Sequence, residues 1–136
     1  MDLVPGHELP VFVRETGFHN WNRFAAVNDE FAIIHMDDEA GREAGYPNAF
    51  GMGNLQWAYL HNLLREWLAP EGRIVKMDCQ FRGANDKGQT VTARGRITSV
   101  SAAGEQMLVE LDVWTESEGR PLAVGHATVA VPSDGR

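Results

Sequence analysis

GNLQWAYLHNLLREWLAPEG, residues 53–72, is the stretch on which the fold turns. Leu60, Leu63, Leu64 and Trp67 recur at helical spacing, while Asn54, His61, Asn62 and Arg65 hold the opposite side. Trp57, Ala58, Tyr59 and Leu68 widen the apolar surface past a single stripe, so a helix here has to be wrapped by other structure. Pro70 and Gly72 end it.

Beyond that helix the period changes. Residues 73–82, 89–100, 106–115 and 121–131 read as strands, with ANDKG, SAAGE and ESEGR between them, each carrying the Gly and polar residues of hairpin loops. Alternation is clear in TVTARGRI (90–97) and over 109–113, which leaves one sheet face solvated or in an interface. The pattern predicts an antiparallel meander. Ahead of the helix, residues 8–15 alternate weakly as an opening strand, Gly17 breaks it, WNRFAAVN (21–28) reads as a short helix, and DDEAGREA (37–44) as another. Asp37, Asp38 and Glu39 read as the solvated, dipole-favoured start of that second short helix. One long apolar helix with a meander and little else to cover it implies an α+β fold, a curved antiparallel sheet wrapped around a central helix. Open sheet edges in so small a domain predict pairing with a second copy.

Composition limits the function. A chain of 136 residues with 43% apolar content is expected to be a single domain over 1–136, with PSDGR (132–136) as a frayed tail. A net charge of −7, from 19 acids against 12 bases, and the lack of a basic cluster argue against nucleic acid and anionic membrane surfaces as partners. The apolar run 11–13 is too short for a signal core or a span. Cys79, the one cysteine, has no internal disulfide partner and reads as a small core residue; neither it nor the histidines show metal-ligand spacing. These features point to a cytoplasmic protein.

The chemistry concentrates in NDEFAIIHMDDEAGREAGYPNAFGMGN (28–54), where six acids and His35 precede a glycine-rich lead into the central helix. His35, after the apolar pair Ile33 and Ile34, reads either as a satisfied half-buried histidine or as a base. Asp29 is a turn or cap residue or a reactive carboxylate, and Glu30 a solvated charge or that same carboxylate. Gly51 and Gly53 permit either a tight turn or close approach of a ligand to the backbone, and Asn54 reads as a helix N-cap. His61 lies on the polar helix face, and His126 has no partner at useful spacing.

EFAIIHMDDEAGREAGYPNAFGMGN (30–54) resembles the hydratase motif of the MaoC-like family of the hot-dog fold, the R-specific enoyl-thioester hydratases and dehydratases: an acid, four residues, a histidine, a nearby Asp, an Ala-containing helix and a glycine turn. FRGANDKGQTVTARGRI (81–97) is similar to the family's strand, turn and strand, with Gln89 where that pattern has Asp. The likeness runs from Phe24 to Val131. It departs where the family shows Asp, any residue, Asn, Pro, an aliphatic and His: counting back from His35 puts Glu30 at the carboxylate position, with Asp29 one residue earlier, and Phe50 replaces a histidine before Gly51.

The resemblance implies an enoyl-CoA hydratase or 3-hydroxyacyl-CoA dehydratase that needs no cofactor, takes an acyl-CoA as substrate and works as a homodimer or larger assembly. Adding water beside a thioester carbonyl needs a base for water, a proton for the α carbon and donors for the carbonyl oxygen. His35 with Asp29 or Glu30 supplies the first two; backbone N–H groups near Gly51, at the start of the central helix, supply the third, with Gly53 and Asn54 beside them. Two alternatives keep the fold: a non-catalytic or half-site subunit of a heteromeric hydratase, and an acyl-CoA thioesterase sharing only the carbonyl-binding part.

Overall fold

A computed structural model describes residues 2–133. Strand β1 (Phe12–Glu15) leads into helix α1 (Phe18–Asn28), a single 3₁₀ turn (Ile33–His35) and the short helix α2 (Asp38–Glu43). The long helix α3 (Gly53–Trp67) follows, and then β2 (Arg73–Phe81), β3 (Thr90–Ala103), β4 (Gln106–Ser117) and β5 (Arg120–Pro132). The five strands form one antiparallel sheet in the order β1-β3-β4-β5-β2. It is the α+β, hot-dog arrangement expected from the sequence.

Helix α3 buries Leu55, Tyr59, Leu60, Leu63 and Leu64 in the concave side of the sheet. There it meets the inward residues of alternate positions, Val91, Ala93 and Ile97 of β3, Val109, Leu111 and Val113 of β4, and Ala127 and Val129 of β5. The period-2 pattern of β3 and β4 is this face. Register shifts in β2, β3 and β4 bend the strands so that a single sheet can wrap a helix. Burial pushes the Tyr59 hydroxyl up to about 12, so it remains a neutral phenol in the core.

Several details differ from the sequence reading. The opening strand is shorter, because Pro10 interrupts it and Glu8 makes only an isolated bridge to Arg96. Helix α1 starts at Phe18, earlier than position 21, since Asn20 Oδ1 accepts from Gly17 N–H at 3.0 Å and caps it there. The third is topological: SAAGE and ESEGR are hairpins, but ANDKG is not. β2 pairs with β5 and β3 with β1 and β4, so residues 82–89 cross from one side of the sheet to the other. The amides of Arg82 and Gly83 donate to Leu122 O at 2.7 and 3.2 Å as this crossover leaves β2. It then passes the start of α3, where Phe50 and Asp86 form a bridge. Pro132 and Ser133, expected in a frayed tail, are held instead: Pro132 pairs with Gln106 and Ser133 N–H donates to Glu105 O at 3.0 Å, while the rest of that expected tail, residues 134–136, lies outside the described residues.

Asp38 is more than a solvated helix start. Its carboxylate pairs with Lys87 of the crossover and accepts from Ala49 N–H at 3.1 Å, while Asp37 caps α2 by accepting from Ala40 N–H at 2.9 Å. The Lys87 ammonium, then the Ala49 amide, hold the Asp38 carboxyl below its usual 3.8. Its contribution is therefore complete above that value and is lost as pH falls through the lower folded value. We expect Asp38→Asn to flatten the acid side of a Tm-against-pH curve below about pH 4 and to leave it unchanged in shape above about pH 5. Parallel acid limbs for the two proteins would remove the claim.

Candidate active site

The start of α3 collects residues from four separate parts of the chain. The 3₁₀ turn after α1 brings His35 against Phe50, the residue that opens the glycine lead-in. His35 is 8% exposed, and its Nδ1 lies 2.6 Å from the Phe50 carbonyl, with the two rings edge-to-face at 5.2 Å. A carbonyl can only accept, so Nδ1 carries the proton and donates. In the neutral ring this leaves the lone pair on Nε2, the form a general base requires. Phe50 N–H in turn donates to Ile34 O at 3.2 Å, so the turn and the lead-in are stitched in both directions.

The glycines divide their duties. Gly51 N–H is taken: it donates to Asn85 O of the crossover at 2.8 Å. The donor expected near Gly51 is therefore not Gly51 itself. Among the described residues the amides of Gly53 and Asn54, the first of α3, have no acceptor, and its N-cap, Met52, offers no side-chain cap. Asn54 is thus inside the helix and not its cap. At Gly51 an added Cβ would stand 2.9 Å from Trp21 Nε1 and 3.0 Å from Asn85 Oδ1; at Gly53 it would stand 3.0 Å from the Phe81 ring. A side chain at Gly51 would collide with buried Trp21, whereas one at Gly53 would press on the half-exposed Phe81 ring.

The carboxylates have unequal settings. Asp29 ends α1 in the left-handed conformation at φ 53°, with its N–H donating to Ala25 O. It closes the C-terminal end of α1 through its backbone, and its carboxylate takes no part in that cap. Glu30 is half-buried, and its Oε2 accepts from Asn54 Nδ2 at 3.4 Å. Both acids, with Asn54, Trp57 and His61, line a cleft of about 750 Å³ between α1 and α3. Phe50, Gly51, Gly53, Gln56, Phe81 and Asn85 line a second cleft of about 410 Å³. Gly53 and Asn54 are adjacent, so the first turn of α3 carries both clefts. Among the described residues, no hydrogen bond or ion pair joins His35 to Asp29 or Glu30.

Gln56, Asn85 and Phe81 are not among the site residues read from the sequence. His61 is anchored at home, with Nδ1 3.0 Å from Trp57 O one turn back. His126 does have partners: Asp78 Oδ1 at 3.3 Å and Asp112 Oδ1 at 3.7 Å, on the two strands flanking β5 at the solvated face. Half-buried Cys79 has its thiol pushed up by burial and by neighbouring Asp78, which makes it a poor nucleophile. No helix of the described residues is long and apolar enough to cross a membrane.

No family model and no curated protein matches this chain by sequence. Solved structures do match in shape. An (R)-hydratase from A. caviae involved in PHA biosynthesis is 20% identical, with a TM-score of 0.86 over 96% of this chain and 98% of that one. The MaoC-like dehydratase from Rhodospirillum rubrum is 16% identical, at 0.79 over 96% and 93%. The ChsH1-ChsH2 complex from Mycobacterium tuberculosis contains a chain 16% identical, at 0.84 over 94% and 98%. The chain thus has the hot-dog fold in the form shared by (R)-hydratases and MaoC-like dehydratases, over nearly its whole length.

Proposed function

We propose that the chain is a MaoC-like hydro-lyase that adds water to a 2-enoyl thioester, or removes it from a 3-hydroxyacyl thioester, with CoA as the carrier. The observation that carries this reading is His35: nearly closed off from solvent, its tautomer set by the Phe50 carbonyl, beside a helix start whose leading amides are free. Nε2 takes a proton from water and returns one to the α carbon, the thioester oxygen accepts from Gly53 N–H, and the helix dipole favours the charge that develops there. Glu30 is the better-supported acid, because Asn54 ties it to the first turn of α3, whereas no hydrogen bond among the described residues holds the Asp29 carboxylate there. The test is a spectrophotometric assay of crotonyl-CoA with the purified protein, in which the enoyl absorbance falls without release of CoA thiol. Thiol release from butyryl-CoA would instead mark a thioesterase.

A homodimer belongs to this reading. β2 ends the sheet, nine residues long, with Val75 and Phe81 45% and 53% exposed. A long unpaired edge with apolar side chains is a template for a second strand. Val75→Lys is expected to shift light-scattering mass toward the monomer; an unchanged mass, or a monomeric wild type, ends the proposal.

The half-site alternative has its own support, in the missing contact between His35 and either acid and in the likeness to a chain of the ChsH1-ChsH2 complex. Turnover by the protein purified alone would exclude it.

A further inference from the structure

Buried polar atoms without a hydrogen-bond partner crowd the start of α3. Gln56 Nε2 and Oε1, Trp21 Nε1 and Asn85 Oδ1 are all closed off from solvent and unpartnered among the described residues. Trp21 Nε1 and Asn85 Oδ1 both face Gly51, and Asn85 Nδ2 is already engaged with Thr16 Oγ1 at 2.9 Å. Gln56 is the extreme case, 3% exposed with both ends of its amide free. Folding ordinarily satisfies such groups, and each one left alone costs stability.

The position makes the choice of residue informative. Gln56 lies three residues before Tyr59, four before Leu60 and seven before Leu63, so it occupies the core stripe of α3, where a hydrocarbon would pack without penalty. It also lines the second cleft with Gly53 and Phe50, and it lies deeper than Gly53. An amide with a donor and an acceptor both open is complementary to a group that gives and takes one hydrogen bond at once, a water or a hydroxyl. Gln56 is three residues from Gly53, about 4.5 Å along the helix axis, comparable to the distance from a thioester oxygen to an oxygen on C3.

We infer that Gln56 holds the oxygen that adds to, or leaves from, C3 of the acyl group, binding the reacting water in one direction and the 3-hydroxyl in the other. This rests on the hydro-lyase reading above. In hydration the water oxygen forms the bond to C3, the C2=C3 electron pair moves onto C2 and the thioester oxygen, one water proton passes to His35, and His35 returns a proton to C2, which takes up that electron pair. Gln56 neither gains nor loses a proton; it accepts from the oxygen through Oε1 and donates to it through Nε2.

The inference is tested by calorimetric binding of 3-hydroxybutyryl-CoA and of butyryl-CoA to the assembled protein, wild type and Gln56→Met. The wild type is expected to prefer the hydroxyacyl thioester roughly tenfold, and the Met variant to bind the two within about twofold. Met also removes unpartnered groups from the core, so the variant's Tm is expected to rise by about 3 °C. Its KM for crotonyl-CoA, which lacks the oxygen, stays near wild type while kcat falls. A wild type that turns over crotonyl-CoA but binds the two thioesters equally overturns the inference and leaves the hydro-lyase reading standing. A variant that melts lower and still distinguishes the thioesters also overturns it. No binding of either thioester to the wild type, with no turnover, rejects both readings.

Discussion

Replacing His35 with alanine is expected to lower turnover of a short trans-2-enoyl-CoA by about 10²- to 10⁴-fold, the range that a positioned general base supplies. The Phe50 carbonyl holds the imidazole from its Nδ1 side, so the loss falls on the one nitrogen that can take a proton from water. His35→Ala also deletes a hydrogen bond that ties the 3₁₀ turn to the helix lead-in, so a modest fall in stability, about 1 kcal/mol, accompanies it. The two effects separate cleanly: the stability loss appears in a urea midpoint, and the catalytic loss appears in kcat at temperatures where both proteins are folded. Unchanged hydration by the alanine variant removes His35 from the mechanism.

The next largest effect is expected at the carboxylates, where paired variants choose between neighbours. Glu30→Gln keeps the size of the side chain and its contact with Asn54, and is expected to reduce kcat by about 10²-fold. Asp29→Gly removes the other carboxylate at a left-handed position that glycine adopts without strain, so α1 keeps its termination and the protein its stability. Activity close to wild type is expected of Asp29→Gly. The reverse result, activity lost with Asp29→Gly and kept with Glu30→Gln, would transfer the acid's role to Asp29.

Periodicity carries most of the fold into view. The core stripe of α3 and the alternation in β3 and β4 report burial directly, because each buried position repeats with the pitch of its element. The link between β2 and β3 misleads for a physical reason. ANDKG has the composition of a tight turn, but composition constrains only local backbone, and β2's partner is fixed by β5, far ahead in the chain. His35 stands out because a polar ring after Ile33 and Ile34 interrupts an apolar run, whereas its anchor on Phe50 is a carbonyl and carries no side-chain signature. The same holds for Gly51, whose amide is consumed by Asn85 O. Gln56 does leave a signal. It stands on the stripe of Tyr59, Leu60 and Leu63, and a polar residue at an apolar position is the kind of departure that marks a site.

The crossover between β2 and β3 also sets an order of events when the chain emerges from a ribosome. β2 is made well before β5, yet β5 is its sheet partner, and the amides of Arg82 and Gly83 wait for Leu122. Until the final hairpin is synthesised, the crossover that presents Asn85 to Gly51 has one end unanchored. A nascent chain stopped before residue 120 can hold α3 against β3 and β4, but its candidate site is open on one side and its β2 strand is exposed. Translation must therefore run through β5 before the pocket can close, which makes β5 the checkpoint for both assembly and chemistry.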